Sequence, residues 1–107
     1  MNYQYNLRYA EILYSQALAT QSNITLLETS RKYFAHSLVL IDNKQEKRIG
    51  NNVARALWGL IKVCKTIASG QKEDLKNDQM LELAQNRVRN IYSKQTDLDV
   101  NKMSVMN

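Results

Sequence analysis

Ser30, Phe34 and Ser37, in the tract SRKYFAHSL at 30–38, stand four and then three residues apart. On a helix that spacing puts two small side chains and one bulky ring on the same face. Two antiparallel helices approach closely only where side chains are small, so such a face suits a helix partner better than solvent. The ring between the small residues fills the gap toward a further helix. RALWGL at 55–60 carries a glycine beside an aromatic, a second point of close approach. Together the two tracts predict helices packed in series that present a surface, and they point to scaffolding rather than chemistry.

Composition narrows the setting. A chain of 107 residues is one domain at most, or a piece of one, and 44% apolar with 23% charged residues fits a globular fold. The longest apolar runs, Leu38–Ile41 and Ala56–Ile61, fall far short of the roughly 20 residues a membrane-crossing helix needs. The opening MNYQYNLRYAEI lacks the apolar core of a secretory signal. A soluble, cytosolic chain is the expectation, and any role at a membrane would require docking onto membrane proteins. Cys64 is the only cysteine, so no internal disulfide can form. The absence of proline favours long helices. A net charge of +5 is moderate and dispersed, compatible with an acidic or phosphate-bearing partner without specifying one.

Four amphipathic segments follow from the periodicity. The first is expected from Tyr3 to Leu18, with Leu7, Ala10, Leu13, Tyr14 and Ala17 at three- and four-residue steps, broken by Thr20–Asn23. The second runs from Leu26 to Ile41 behind a Thr25–Glu28 capping box. A charged connector at 42–51 carries Lys44, Lys47 and Arg48. A third helix, capped by Asn51 or Asn52, ends near Ser69 with Gly70 suited to the left-handed position beyond it. Its apolar positions (Val53, Ala56, Leu57, Leu60, Ile61, Cys64, Ile67 and Ala68) form an arc wide enough for an inner helix with neighbours on two sides. The fourth starts near Glu73 and continues to about Gln95, with Met80, Leu83, Ala84, Val88, Ile91 and Tyr92 on one face. Glu73 and Asp74 near its start and Lys94 near its end suit the helix dipole. From Thr96 the pattern lapses, and the tail at 96–107 is expected to fray.

The segments pair into two hairpins that can be compared. Tyr9–Ala10 matches Trp58–Gly59, and Ser30, Phe34 and Ser37 match Ala84, Val88 and Ile91. The first set fits the tetratricopeptide pattern well; the second is degenerate, since Ile91 is not small. Ala10 and Gly59 lie further apart than the standard period of about 34 residues, the excess falling in polar connectors. The expected fold is therefore all-α: about four helices in antiparallel hairpins of tetratricopeptide-repeat type, an α-solenoid fragment spanning residues 1–95. The residues expected to carry the repeat packing are Tyr9, Ala10, Leu13, Ser30, Phe34, Ser37, Leu57, Trp58, Gly59 and Leu60.

No constellation of catalytic type stands out. His36 and Cys64 could form a nucleophile–base pair only with a third orienting group, and none is apparent. His36 reads as a partly exposed helix residue and Cys64 as core. One Cys and one His cannot supply a zinc site, Glu73, Asp74 and Asp78 lack a calcium-loop pattern, and no Gly-rich loop exists, so no metal or cofactor is expected. The basic residues Arg55, Lys62 and Lys65 on the third helix, with Arg87, Arg89 and Lys94 on the fourth, read as solvated faces. If they faced one groove they would suit nucleic acid or an acidic peptide. Tyr3, Tyr5, Tyr9 and Tyr14 form either a partner-binding stripe or ordinary packing.

YAE at 9–11, SRKYFAHSL at 30–38, NNVARALWGL at 51–60 and IAS at 67–69 occur in the order in which they stand in the C-terminal part of one family. Over roughly residues 3 to 92 the chain resembles subunit 2 of the ER membrane protein complex, the tetratricopeptide repeat protein 35 family. It departs from that family in three ways: a longer, glycine-free turn after Ala17–Leu18, a longer loop at 42–51, and Trp58 in place of a smaller aromatic. The repeats that the family carries upstream would precede Met1. The resemblance implies a non-enzymatic scaffold, peripheral on the cytosolic face of the endoplasmic reticulum. Its implied partners are the soluble and membrane-embedded subunits of that complex, which inserts weakly hydrophobic and tail-anchored transmembrane segments. Nucleic acid is not an expected partner. A nucleic-acid- or acidic-peptide-binding module and a generic repeat adaptor of another cytosolic complex are the alternatives.

Overall fold

Capping chemistry sets the helix bounds. In the computed structural model, which describes residues 2–43, 50–70 and 74–106, the order is α1 (Tyr3–Ala19), α2 (Ile24–Asp42), α3 (Gly50–Gly70) and α4 (Leu75–Met106). Among the described residues there is no strand, and no helix is long and apolar enough to cross a membrane. Asn2 opens α1 by accepting the Tyr5 N–H at 2.8 Å. α1 closes at Thr20, whose N–H reaches the carbonyls of Gln16 and Ala17, and the Asn23 N–H returns to Ala17 at 3.3 Å. Gln21 and Ser22 hold φ of 58° and 56° in this turn, the left-handed region that glycine would enter without cost.

Several boundaries differ from those expected. The cap of α2 is Asn23, which accepts the Leu26 N–H at 3.2 Å; Thr25 and Glu28 lie inside the helix, and the Thr25 carbonyl takes the Thr29 hydroxyl. Asn23 wins because its short amide, on non-helical backbone, already satisfies a first-turn donor. α3 begins at Gly50, so Asn51 and Asn52 are helical rather than caps; Asn52 instead donates to the Tyr3 hydroxyl at 3.5 Å. Gly70 ends α3 as a helical residue, and no described glycine has positive φ. α4 is capped by Asp74, which accepts the Asn77 N–H at 3.1 Å. It runs to Met106, beyond the end expected near Gln95, so Lys94 does not stand at its end. The expectations for Lys44, Lys47, Arg48 and Glu73 fall outside the described residues.

The helices pack in chain order, α1 on α2, α2 on α3 and α3 on α4, with a lighter contact between α1 and α3. Short connections make α1–α2 and α3–α4 antiparallel hairpins, and the second stacks on the first. The core draws Leu7, Ala10 and Ala17 from α1 and Leu27, Phe34, Leu38 and Ile41 from α2. α3 contributes the most, from Ala56 through Ile67, because it touches all three other helices. Its buried arc therefore takes in Val63, which a two-sided arc leaves out, while Ala68 at its far end is exposed. α4, at about 1.5 Å per residue, is about 48 Å long and sets the 53 Å long axis.

Candidate protein-docking surface

The small-residue register is the hinge of the packing. Ser30 is wholly buried and its hydroxyl donates to the Ala10 carbonyl at 2.7 Å, so α1 and α2 touch almost backbone to backbone. Ser37 turns its hydroxyl back onto the Phe34 carbonyl at 2.7 Å, which removes its polarity from the core. Phe34 points toward α3 and lies against Gly59; a Cβ built on Gly59 would overlap the ring edge. The ring thus bridges the two hairpins, and only a residue without a side chain admits it there.

The expected repeat-packing residues divide into two groups. Ala10, Leu13, Ser30, Phe34, Ser37, Leu57 and Leu60 are buried and Gly59 is half-buried under the Phe34 ring. Tyr9 and Trp58 are exposed, at 38% and 42%. Each lies on the surface next to a less exposed small neighbour, because adjacent helical positions diverge by about 100°. Leu83, at 66% exposure, also leaves the face assigned to it, and half-buried Leu81 packs on the core instead.

Three exposed features involve aromatic side chains. A groove of about 650 Å³ runs between α1 and α3, with Phe34 and Gly59 in its floor and Glu11, Arg55, Trp58 and Lys62 along its sides. Arg55 donates to Glu11 across it at 2.6 Å, and the Tyr14 hydroxyl meets Thr66 at 3.1 Å. A second cleft, about 520 Å³, lies between α3 and α4 under Trp58 and Tyr92, whose rings tilt together at 6.4 Å. On the outer flank, Tyr5 stacks on Tyr9 at 6.3 Å and Tyr9 meets Tyr33 edge-on at 4.7 Å. Of the tyrosines first grouped as a stripe, Tyr3 is buried, Tyr14 is half-buried and bonded, and Tyr5 and Tyr9 are open.

The basic residues do not act as one free face. Arg55 pairs with Glu11, Arg87 makes a two-pronged contact with Asp42 at 3.1 and 3.2 Å, and Arg89 bonds Asn86. Lys62 and Lys65 are exposed on α3, and the side chain of Lys94 lies outside the described ones. His36 is exposed on α2, whereas Cys64 is fully buried on α3. Burial pushes the Cys64 thiol up to about 11, so it stays protonated at neutral pH.

One cluster has no signal in the sequence pattern. Arg31 on α2, itself buried, donates to Asn77 at 3.0 Å and to Asp74 at 3.4 Å. Asn77, fully buried at the start of α4, donates onward to the Cys64 carbonyl of α3 at 2.8 Å. This clamp ties three helices together. The Asn77 backbone N–H, and then the Arg31 guanidinium, hold the Asp74 carboxyl below its ordinary range.

Four helices packed as two hairpins, with no strand among the described residues, define an all-α fold. The chain matches no family model, no curated protein and no solved structure.

Proposed function

We propose that this chain is a non-enzymatic scaffold of tetratricopeptide kind, a peripheral subunit on the cytosolic side of the ER membrane protein complex. There it would support insertion of transmembrane segments, tail-anchored ones included, by holding partner subunits. The observation that carries this is the set of tracts YAE, SRKYFAHSL and NNVARALWGL, joined to what their residues do in the fold. Ser30 seals α1 against α2, and Phe34 enters the next hairpin over Gly59. Such units stack in series and leave curved surfaces for partner segments. The exposed Tyr5, Ile12, Trp58, Leu83 and Tyr92 are large apolar side chains of the kind that partner protein covers.

The nucleic-acid alternative is weakened by the pairing of Arg55 with Glu11 and Arg87 with Asp42, which leaves less free positive charge than the sequence suggests. A general adaptor role differs from the proposal only in the partners recovered. The test is purification of the tagged chain from detergent-solubilised microsomes, followed by identification of what accompanies it. Membrane-embedded subunits of the complex are expected, and Trp58→Ala with Tyr5→Ala should reduce their recovery. A chain that emerges as a free monomer, or with an unrelated cytosolic complex, overturns the assignment.

A further inference from the structure

The cleft between α2 and α4 has a chemistry that docking of a helix does not explain. It measures about 470 Å³ and is lined by Arg31, Lys32 and Lys76, with the hydroxyls of Thr25 and Thr29 beside them. Glu28 is the single carboxylate among its lining residues, and Asp74 pairs with Arg31 from beside it, so three cations face two carboxylates. Arg31 is held rigidly there: its side chain is only 10% exposed, and Nη1 is fixed by Asp74 and Asn77. A guanidinium carries five N–H donors, and among the described residues its Nη2 and Nε hydrogens meet no acceptor. Lys32 and Lys76 are exposed, and neither has an ion-pair partner among the described residues.

From this we infer that the α2–α4 cleft binds a phosphomonoester. A pre-oriented guanidinium beside two mobile ammonium groups suits a tetrahedral dianion, whose oxygens accept several charge-assisted hydrogen bonds at once. The cleft exceeds the volume of bare phosphate, and Ala35 and Met80 offer the ester's organic part an apolar wall. The cleft belongs to α2 and α4 and needs nothing from the scaffold assignment, so either can fail alone.

The experiment titrates the full chain with free inositol phosphate, followed by amide NMR shifts, and separately with vesicles bearing phosphatidylinositol phosphate, followed by cosedimentation. Saturable shifts at Thr25–Ala35 and Lys76–Met80 are expected. Replacing Lys32 and Lys76 by Ala should weaken binding at least roughly tenfold, the scale of one lost charge-assisted hydrogen bond. The charge-matched control, Lys62→Ala with Lys65→Ala, should leave it unchanged, and Glu28→Gln should tighten it. Cosedimentation that needs Lys32 and Lys76 marks a lipid head group as the source; binding of the free ester without cosedimentation marks a soluble one. Equal losses in the two lysine pairs, or no saturable shift, overturns the inference.

Discussion

In the α1–α2 hairpin the crossing is made by small residues: Ser30 rests on the Ala10 carbonyl, and Ser37 folds its hydroxyl inward. In the α3–α4 hairpin, Ala84, Val88 and Ile91 stand at the matching positions, and bulk at the last two keeps the helices from closing as tightly. Ile91 is only half-buried there, and the cleft under Trp58 and Tyr92 opens beside it. What the second hairpin lacks in close approach it recovers through the Arg31–Asp74–Asn77 clamp, which reaches from α2 across to α3. The second hairpin thus replaces small-residue contact with long-range hydrogen bonding. The replacement is directional, so it fixes the angle of α4 as well as its distance.

The sharpest way to break this contrast is Phe34→Ala. The ring is 1% exposed and bridges both hairpins, so its loss should cost about 3–5 kcal/mol in denaturant titration. A loss below about 1 kcal/mol would mean the hairpins are not coupled through it. Next is Asn77→Ala, which removes the side-chain donor to the Cys64 carbonyl and the Asn77 acceptor of Arg31; about 1–3 kcal/mol is expected. Hydrogen exchange should accelerate at the start of α4 and much less in α1, and uniform acceleration would deny the clamp its local role.

Gly59→Ala should come third. Gain in helix propensity of about 0.5–1 kcal/mol opposes overpacking against Phe34 of about 1–3 kcal/mol, so a net loss of about 1–2 kcal/mol is expected. In a Phe34→Leu background much of that loss should vanish; strict additivity would show that the two residues do not meet. The smallest effect is read against pH. Because the folded Asp74 carboxyl lies below its unfolded value near about 3.9, its contribution is present above that value. It is lost as pH falls through the lower folded value. Asp74→Asn should therefore flatten the acid limb of the stability profile, and an unchanged limb would remove Asp74 from the clamp.

Much of the fold was legible before any coordinates. The three- and four-residue steps located all four helices because an amphipathic face is a local property, written in consecutive residues. Ser30 and Phe34 were legible as packing residues for a similar reason: only small–large–small spacing permits close helix approach. Caps were less legible, since Asn23, Thr25, Asn51 and Asn52 are all capable residues, and backbone geometry chooses among them. Leu83 was placed on the apolar face by pattern and is found outward, because the direction of a neighbouring helix decides which edge of an apolar arc is covered. The α2–α4 cleft had no signal at all.

Sequence alone determined that this chain is helical, that its helices pair, and that one face of α2 is built for close contact. Each rests on steric and hydrophobic rules acting within a few residues. Tertiary structure alone decided that Gly59 makes room for Phe34, that Arg31 and Asn77 form a buried clamp, and that Arg31, Lys32 and Lys76 line one cleft. Those depend on residues far apart in the chain, and a polar residue on a helix looks the same in sequence whether it faces water or a partner across the core.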